Sequence, residues 1–327
     1  MADMYIKNFD DRSKKPGRMI PFFIVVAILI GAGWWWLGRS DESEISETKL
    51  QDEVIQPSAS VYVPKTQSSK PAVSTTQVSS QTAPQASIDA RRMFNRAQEK
   101  VSAGDLKEAS ALLEKVINET RDLSLRNNAL RVQGRVNVQL FFSEVPTLEK
   151  TSYVVQPGDS LDRIARKNKT TVDLIRKLNQ IEGNLIYPGQ RLMVPSAPFV
   201  VKVDKTDRQL ELVIGGKRFK RYSVGVGRHG KTPIGIFHTV VHQKEPDWTP
   251  PTGGIVPFGD PRNVLGTRWM SFQDDARPDL KGFGIHGTSD RESIGGETSN
   301  GCIRMLNEDV EEVFLFLPRG TQVIINE

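Results

Sequence analysis

Ser299-Asn300-Gly301-Cys302-Ile303-Arg304-Met305 holds the only cysteine in a chain of 327 residues. Upstream stands Ile285-His286-Gly287-Thr288. A lone thiol makes no internal disulfide and no cysteine-rich metal site, so it is either a buried inert group or a nucleophile. A free thiol has a pKa of about 8.5 and is only a few per cent thiolate at neutral pH, so it needs a base. The imidazole of His286, titrating at about pH 6.5, suits taking a proton and returning it to a leaving group. No acidic residue stands beside His286, so a backbone carbonyl is expected to orient its ring, that of Gly287 being nearest. Gly301 lets backbone approach a substrate closely. The N–H groups of Gly301 and Cys302 are candidate oxyanion donors, each worth on the order of 100- to 1,000-fold in rate. Arg304 is a candidate partner for a substrate carboxylate.

Outward from this pair, residues 199–327 read as mostly strand. Phe199 to Val203 and Gln209 to Ile214 alternate or run apolar and are followed by a Gly215-Gly216 turn. Phe219 to Val226, Gly235 to Val241 and Arg268 to Phe272 continue the pattern, and Gln322 to Ile325 closes it. One helix is predicted over 307–316, with Val310, Val313, Phe314 and Leu317 on one face. Short strands between Gly and Pro turns indicate an open β-sandwich or barrel-like fold.

Before it, Tyr153 to Pro195 reads as a compact β-α-α-β module. Tyr153-Val154-Val155 is a strand and Pro157-Gly158-Asp159-Ser160 a turn with a helix cap. Two short helices follow, and Tyr187-Pro188-Gly189-Gln190 turns into a closing strand. Residues 87–145 read as helical, with Met93, Phe94, Ala97 and Val101 and then Leu106, Ala109, Leu112, Leu113, Val116 and Ile117 at helical spacing. Gly104-Asp105 ends one helix and caps the next. The run from Ala103 to Ala109 resembles the turn of a tetratricopeptide helix pair. One such unit is expected to serve as a spacer or as a docking element for a protein partner.

Residues 38–86 are rich in Ser, Thr, Gln and Pro and read as a disordered linker. Between Arg18 and Arg39 no charged residue occurs. As a helix this stretch spans roughly 30 Å, one bilayer core. Trp34, Trp35 and Trp36 close it, basic residues precede it and acidic ones follow. The expectation is an uncleaved transmembrane helix over 20–37, a cytoplasmic tail over 1–19, and everything after it extracytoplasmic.

A net charge of +5 with no basic stripe interleaved with aromatics argues against nucleic-acid binding and suits work near an anionic wall polymer. No cofactor is implied. His238 and His242, at an even spacing that places both on one face of a strand, make a zinc site with Asp247 conceivable, against the plainer reading as strand residues. Trp248 and Trp269 are candidates for the core or the wall of a substrate cleft.

Two resemblances join these readings. Tyr-Val-Val-Gln-Pro-Gly-Asp-Ser-Leu from Tyr153, then Ile-Ala, Leu-Asn-Gln-Ile and Ile-Tyr-Pro-Gly-Gln-Arg-Leu-Met-Val-Pro, resembles the LysM domain over 152–196. The resemblance implies binding to peptidoglycan glycan. The groove would lie at Gly158, Asp159, Ser160 and Leu161 and near Gln180 and Ile181. Ile-His-Gly-Thr, Ser-x-Gly-Cys-Ile-Arg-Met and Asn-x-Asp-Val resemble the active-site signature of the YkuD-type L,D-transpeptidase family. Gly230 to Phe237, Pro246 to Pro251 and Gly266 to Met270 match it as well. The resemblance implies a multidomain chain with a mainly-β catalytic domain over 199–327. It implies Cys302 as nucleophile, His286 as base, Gly287 as orienter, Gly301 and Cys302 as oxyanion donors, and Arg304, Asn300, Trp269 and Trp248 toward substrate. The cysteine would attack a stem-peptide carbonyl, expel terminal D-alanine and pass the acyl group to an amine. Handing it to water would make the chain an L,D-carboxypeptidase, and a fold kept only as scaffold would make it a wall-binding protein. Many members carry a second histidine where this chain has Asn300, which is expected to tune rate or acceptor choice.

Overall fold

A computed structural model describes residues 82–327, and these belong to one compact unit. The expected tail, membrane span and most of the linker lie outside the described residues. Among the described residues no helix is long and apolar enough to cross a membrane.

Three helices come first: α1 (Thr82–Ser102), α2 (Leu106–Glu119) and α3 (Leu123–Phe142). Gly104 takes φ +79°, which glycine adopts freely, and Asp105 caps α2 by accepting the Glu108 N–H at 3.3 Å. Asp122 caps α3 through the Leu125 N–H at 3.0 Å. Ala97, Leu113, Val116, Ala129 and Val136 fill the space between the helices. The expectation of a small hairpin acting as a spacer needs correction, because α3 runs on into the C-terminal core. There the buried Phe141 ring lies 5.9 Å from Phe199, 5.6 Å from Phe219 and 5.7 Å from Phe316. Lys150 closes the junction. Its buried ammonium donates to the carbonyls of Leu140 and Phe141, each at 3.1 Å, and to that of Ser143. These are carbonyls that the end of α3 leaves without helical partners. Burial holds the Lys150 pKa below its ordinary value.

The next module pairs β1 (Lys150–Val154) antiparallel with β2 (Arg191–Pro195) around α4 (Leu161–Lys167) and α5 (Val172–Asn179). Ser160 and Thr171 cap the two helices through their hydroxyls. Leu161, Ile164, Ile175, Leu192 and Val194 form its own small core. Helix α5 is a shared wall: Leu174 and Leu178 face the larger C-terminal core. The Thr171 hydroxyl also donates to the Leu315 carbonyl at 2.6 Å.

That larger core is built from β3 (Phe199–Asp204), β4 (Gln209–Ile214), β5 (Lys217–Ser223), β6 (Val226–Gly227), β7 (Gly235–Lys244), β8 (Arg268–Gln273), β9 (Gly284–Thr288), β10 (Glu297–Ser299), β11 (Ile303–Leu306), α6 (Asn307–Phe316) and β12 (Gln322–Asn326). Where a sandwich or barrel was expected, one mixed eight-stranded sheet runs β11-β9-β8-β7-β12-β3-β4-β5, and β6 with β10 forms a separate parallel pair. Alternation turns Val201, Val203, Leu210, Leu212, Val323 and Ile325 inward, where Val310, Val313 and Phe316 of α6 join them. The edge strand β5 is covered by α3, whose Asn137 amide donates to the Phe219 carbonyl at 2.7 Å, so no open edge is left there to template aggregation.

Candidate active site

Strand β9 lies between β8 and β11. Its register pairs His286 with Trp269 on one side and with Arg304 on the other; Ile285 pairs with Met270 and Ile303. Because side chains alternate, Ile285, Ile303 and Met270 enter the core, fully buried, while His286, Arg304 and Trp269 share the opposite face. Cys302 stands two residues before Arg304, so it shares that face too. Continuing the β11 register places it one diagonal step from His286, roughly 8 Å between Cα positions at ordinary strand spacing.

The His286 ring is 3% exposed, and its Nδ1 lies 2.8 Å from the Gly287 carbonyl oxygen. A carbonyl only accepts, so Nδ1 carries the proton and Nε2 keeps its lone pair. Burial lowers the His286 pKa to about 4; the positive Arg304 works in the same direction and the Gly287 bond against it. The half-buried Cys302 thiol lies 3.6 Å from the Gly282 carbonyl. Burial pushes its pKa up, with a Gly284 backbone bond and Arg304 opposing. The resting pair is therefore a neutral thiol and a neutral imidazole.

The loop carrying Cys302 is tied down on both sides. Gly301 sits at φ +127°, and a Cβ there would come within 2.5 Å of the Phe283 ring, so the position takes only glycine. Its N–H donates to the Ser299 hydroxyl at 3.0 Å, and the same hydroxyl donates to the Cys302 carbonyl at 2.6 Å. The expectation that the Gly301 N–H forms half of an oxyanion hole is corrected by that bond. The Gly301 carbonyl in turn accepts from Thr232 at 3.0 Å.

Arg304 reaches Thr298 at 3.4 Å, while its buried Nε makes no hydrogen bond. Asn300 is exposed. The Trp269 ring lies 6.1 Å from that of His286, at the wall of the site. Trp248 sits in the 246–266 loop, bonded through its backbone to Val256. That loop reaches the site at its other end, where the Leu265 carbonyl accepts the Gly287 N–H at 3.1 Å. Among the described residues no cluster of three or more His, Cys, Asp or Glu could hold a metal ion. A bulge in β7 between Thr239 and His242 breaks the alternation that would have put His238 and His242 on one face. His242 packs on the Phe314 ring at 5.4 Å, and His238 lies 3.6 Å from Asp275.

Several candidate glycan residues have fold duties. Asp159 accepts the Gln156 N–H at 2.9 Å and the Tyr153 hydroxyl at 2.8 Å, Ser160 caps α4, and Leu161 is buried. Ile181 packs on the module's core, and Gln180 ends α5 at φ +53°. Exposed surface at these turns comes from Gly158, Gln180, Leu185 and Tyr187. A cavity of about 670 Å³ between α3 and β5, lined by Arg131, Arg135, Tyr222 and Asp309 among others, contains none of the residues around Cys302. Chemistry, not volume, selects the site.

Three residues escaped the sequence reading. Thr232 and Ser299 hold the cysteine loop. Asn307 accepts the Thr267 N–H at 3.1 Å, beside the Gly287 backbone. Each lies in or beside a quoted motif block, but a short hydroxyl or amide gives no signal of what it bonds.

A family model described as the L,D-transpeptidase catalytic domain matches residues 198–325, and one described as the LysM domain matches residues 153–195. The protein named L,D-transpeptidase YkuD from Bacillus licheniformis is 33% identical over 181 residues, covering 53% of this chain and 97% of that one. YqjB of Bacillus subtilis, named in the same way, is 36% identical over 143 residues, 43% of this chain and 78% of that one. A solved L,D-transpeptidase 3 from Mycobacterium tuberculosis superposes over 44% of this chain and 77% of its own at 15% identity, with a TM-score of 0.33 too low to weigh.

Proposed function

The chain belongs to the L,D-transpeptidase family with a YkuD catalytic domain, and from that premise we propose that Cys302 is its acylated nucleophile, acting on peptidoglycan stem peptides. The observation that carries the proposal is the Nδ1–Gly287 bond, which leaves the lone pair of His286 Nε2 on the face shared with Cys302. In the first half-reaction Nε2 takes the thiol proton as sulfur bonds the carbonyl carbon of the third stem residue. The tetrahedral oxyanion collapses, the bond to the terminal D-alanine breaks, and the imidazolium returns its proton to the leaving amine. In the second, an acceptor amine attacks the thioester, a C–N bond replaces C–S, and the thiol recovers its proton through His286. The product is a 3→3 cross-link or a wall-attached protein; water as acceptor gives carboxypeptidation. The two half-reactions balance with no cofactor.

Arg304 supports the reading, since a guanidinium beside the thiol with a buried, unused Nε suits a stem carboxylate. The LysM module holds the glycan strand through its exposed turns. The stretch over 20–37 anchors the chain as a single-pass inner-membrane protein, with the N-terminus cytoplasmic and the catalytic domain outside.

Incubation of the detergent-purified full chain with disaccharide tetrapeptide, read by mass spectrometry, tests the proposal. A cross-linked dimer lacking one D-alanine supports transpeptidation, and a tripeptide monomer alone supports carboxypeptidation. An unchanged substrate, or turnover persisting in Cys302→Ala, sinks the proposal.

A further inference from the structure

Thr232 is fully buried, far in sequence from the cysteine, and bonded on both sides. Its hydroxyl oxygen accepts the Gly227 N–H at 2.8 Å, and the hydroxyl reaches the Gly301 carbonyl at 3.0 Å. An N–H can only donate and a carbonyl can only accept, so the direction of both bonds is fixed. The Gly301–Cys302 peptide is planar and trans, so its N–H points opposite to its C=O. With the carbonyl held toward Thr232, the Cys302 N–H is turned to the other side of the loop. Ser299 occupies the Gly301 N–H and the Cys302 carbonyl. Of the polar backbone groups of these two residues, the Cys302 N–H is thus the one left to meet a ligand.

This peptide has a reason to need holding. Gly301, with no Cβ, offers little resistance to a flip of the plane that follows it. Close packing sets its place, since a Cβ on Gly227 would lie 2.7 Å from the Gly301 Cα. The contact fixes position, whereas the rotation of the peptide plane is set by the hydrogen bond.

We propose that Thr232 is a positioning residue for acyl transfer: through the Gly301 carbonyl, its hydroxyl sets the Gly301–Cys302 peptide so that the Cys302 N–H donates to the oxyanion. This rests on Cys302 being the acylated nucleophile. It makes Thr232 dispensable for the reactivity of sulfur itself, which needs no oxyanion donor, and important for attack on a carbonyl, which does.

The test compares two reactions in the full chain for wild type, Thr232→Val and Thr232→Ser. One is turnover of disaccharide tetrapeptide, separated into kcat and KM; the other is alkylation of Cys302 by iodoacetamide across pH. Thr232→Val is expected to lower kcat by about 100-fold, the scale of a lost oxyanion donor. KM should stay within a few-fold, and the alkylation rate and its pH profile should not move. Thr232→Ser, which keeps the hydroxyl, should recover most of kcat. Wild-type kcat in Thr232→Val overturns the proposal. So does a parallel fall of alkylation and turnover that serine does not rescue, which marks a merely structural residue. Failure of the underlying reading is seen separately, as turnover in Cys302→Ala.

Discussion

The protonation state of the Cys302–His286 pair can be worked out and measured. His286 titrates at about 4, so roughly one imidazole in a thousand is charged at pH 7. The thiol is raised above its ordinary value, so less than about 3% would be thiolate at pH 7. Moving the proton from sulfur to imidazole therefore crosses at least about 4.5 pK units, or roughly 6 kcal/mol. Attraction between the two charges at about 4 Å returns some 4 kcal/mol at an effective dielectric of 20. The neutral pair wins by about 2 kcal/mol, leaving the ion pair at a few per cent. Iodoacetamide alkylation should then be slow at pH 6–7 and climb steeply only above the ordinary thiol range. Turnover, measured as kcat/KM, should rise through about pH 4 as His286 loses its proton and stay flat across neutrality. His286→Ala should abolish turnover while changing neutral-pH alkylation little. An alkylation rate already at its plateau by pH 6, collapsing in His286→Ala, would refute the neutral pair and with it the weight given to burial over charge.

Other outcomes follow from packing and linkage. Phe141→Ala empties the centre of a four-ring cluster and should cost about 3–5 kcal/mol by denaturant titration; a loss under about 1 kcal/mol would show that α3 is only laid against the core. Lys150→Met keeps the aliphatic stem but strips the donor from the end of α3, for on the order of 2–3 kcal/mol measured the same way. Gly301→Ala meets both φ +127° and the Phe283 ring, and should reduce turnover far more than it reduces the melting temperature. A histidine whose folded pKa is depressed contributes stability that is present above its unfolded value of about 6.5 and is lost as pH falls toward 4. For His286 the full loss is roughly 3 kcal/mol. His286→Gln should flatten that acid limb, His242, also lowered to about 4, leaving the remainder.

Much of the fold was legible because its residues carry a period. Strands β3 and β4 alternate or run apolar, and α6 begins and ends at the residues its apolar face predicted. The strands that build the site were not legible. Gly284, His286 and Gly287 in β9 have weak strand preference, and β9 is a strand because β8 and β11 flank it. The bulge in β7 is equally silent in sequence, which is why His238 and His242 looked like neighbours. Chemistry was legible in residue type: one thiol, one histidine flanked by glycine. The detail that failed, the Gly301 N–H, failed because the Ser299 hydroxyl two residues away competes for it. Short hydroxyl side chains bond nearby backbone readily, so an N–H next to one cannot be assumed free.

The shared wall at α5 changes how the glycan module can be tested. Read as a bead on a string, 153–195 could be deleted to separate wall binding from turnover. In the structure Leu174 and Leu178 line the same core as Phe199 and Phe316, and Thr171 bonds the end of α6. Deletion would expose that core and leave the Leu315 carbonyl without its donor, costing several kcal/mol from a domain whose whole margin is about 5–15 kcal/mol. Loss of turnover on deletion would thus report unfolding, not a glycan requirement. Substitutions on the module's solvent side separate the two. Tyr187→Ala and Leu185→Ala remove side chains 61% and 67% exposed, so the melting temperature should hold. If the module captures the wall, the double variant should sediment less with insoluble peptidoglycan while turning over soluble tetrapeptide at the wild-type rate. Wild-type sedimentation would mean that these turns do not hold the glycan and that α5 serves the catalytic core alone.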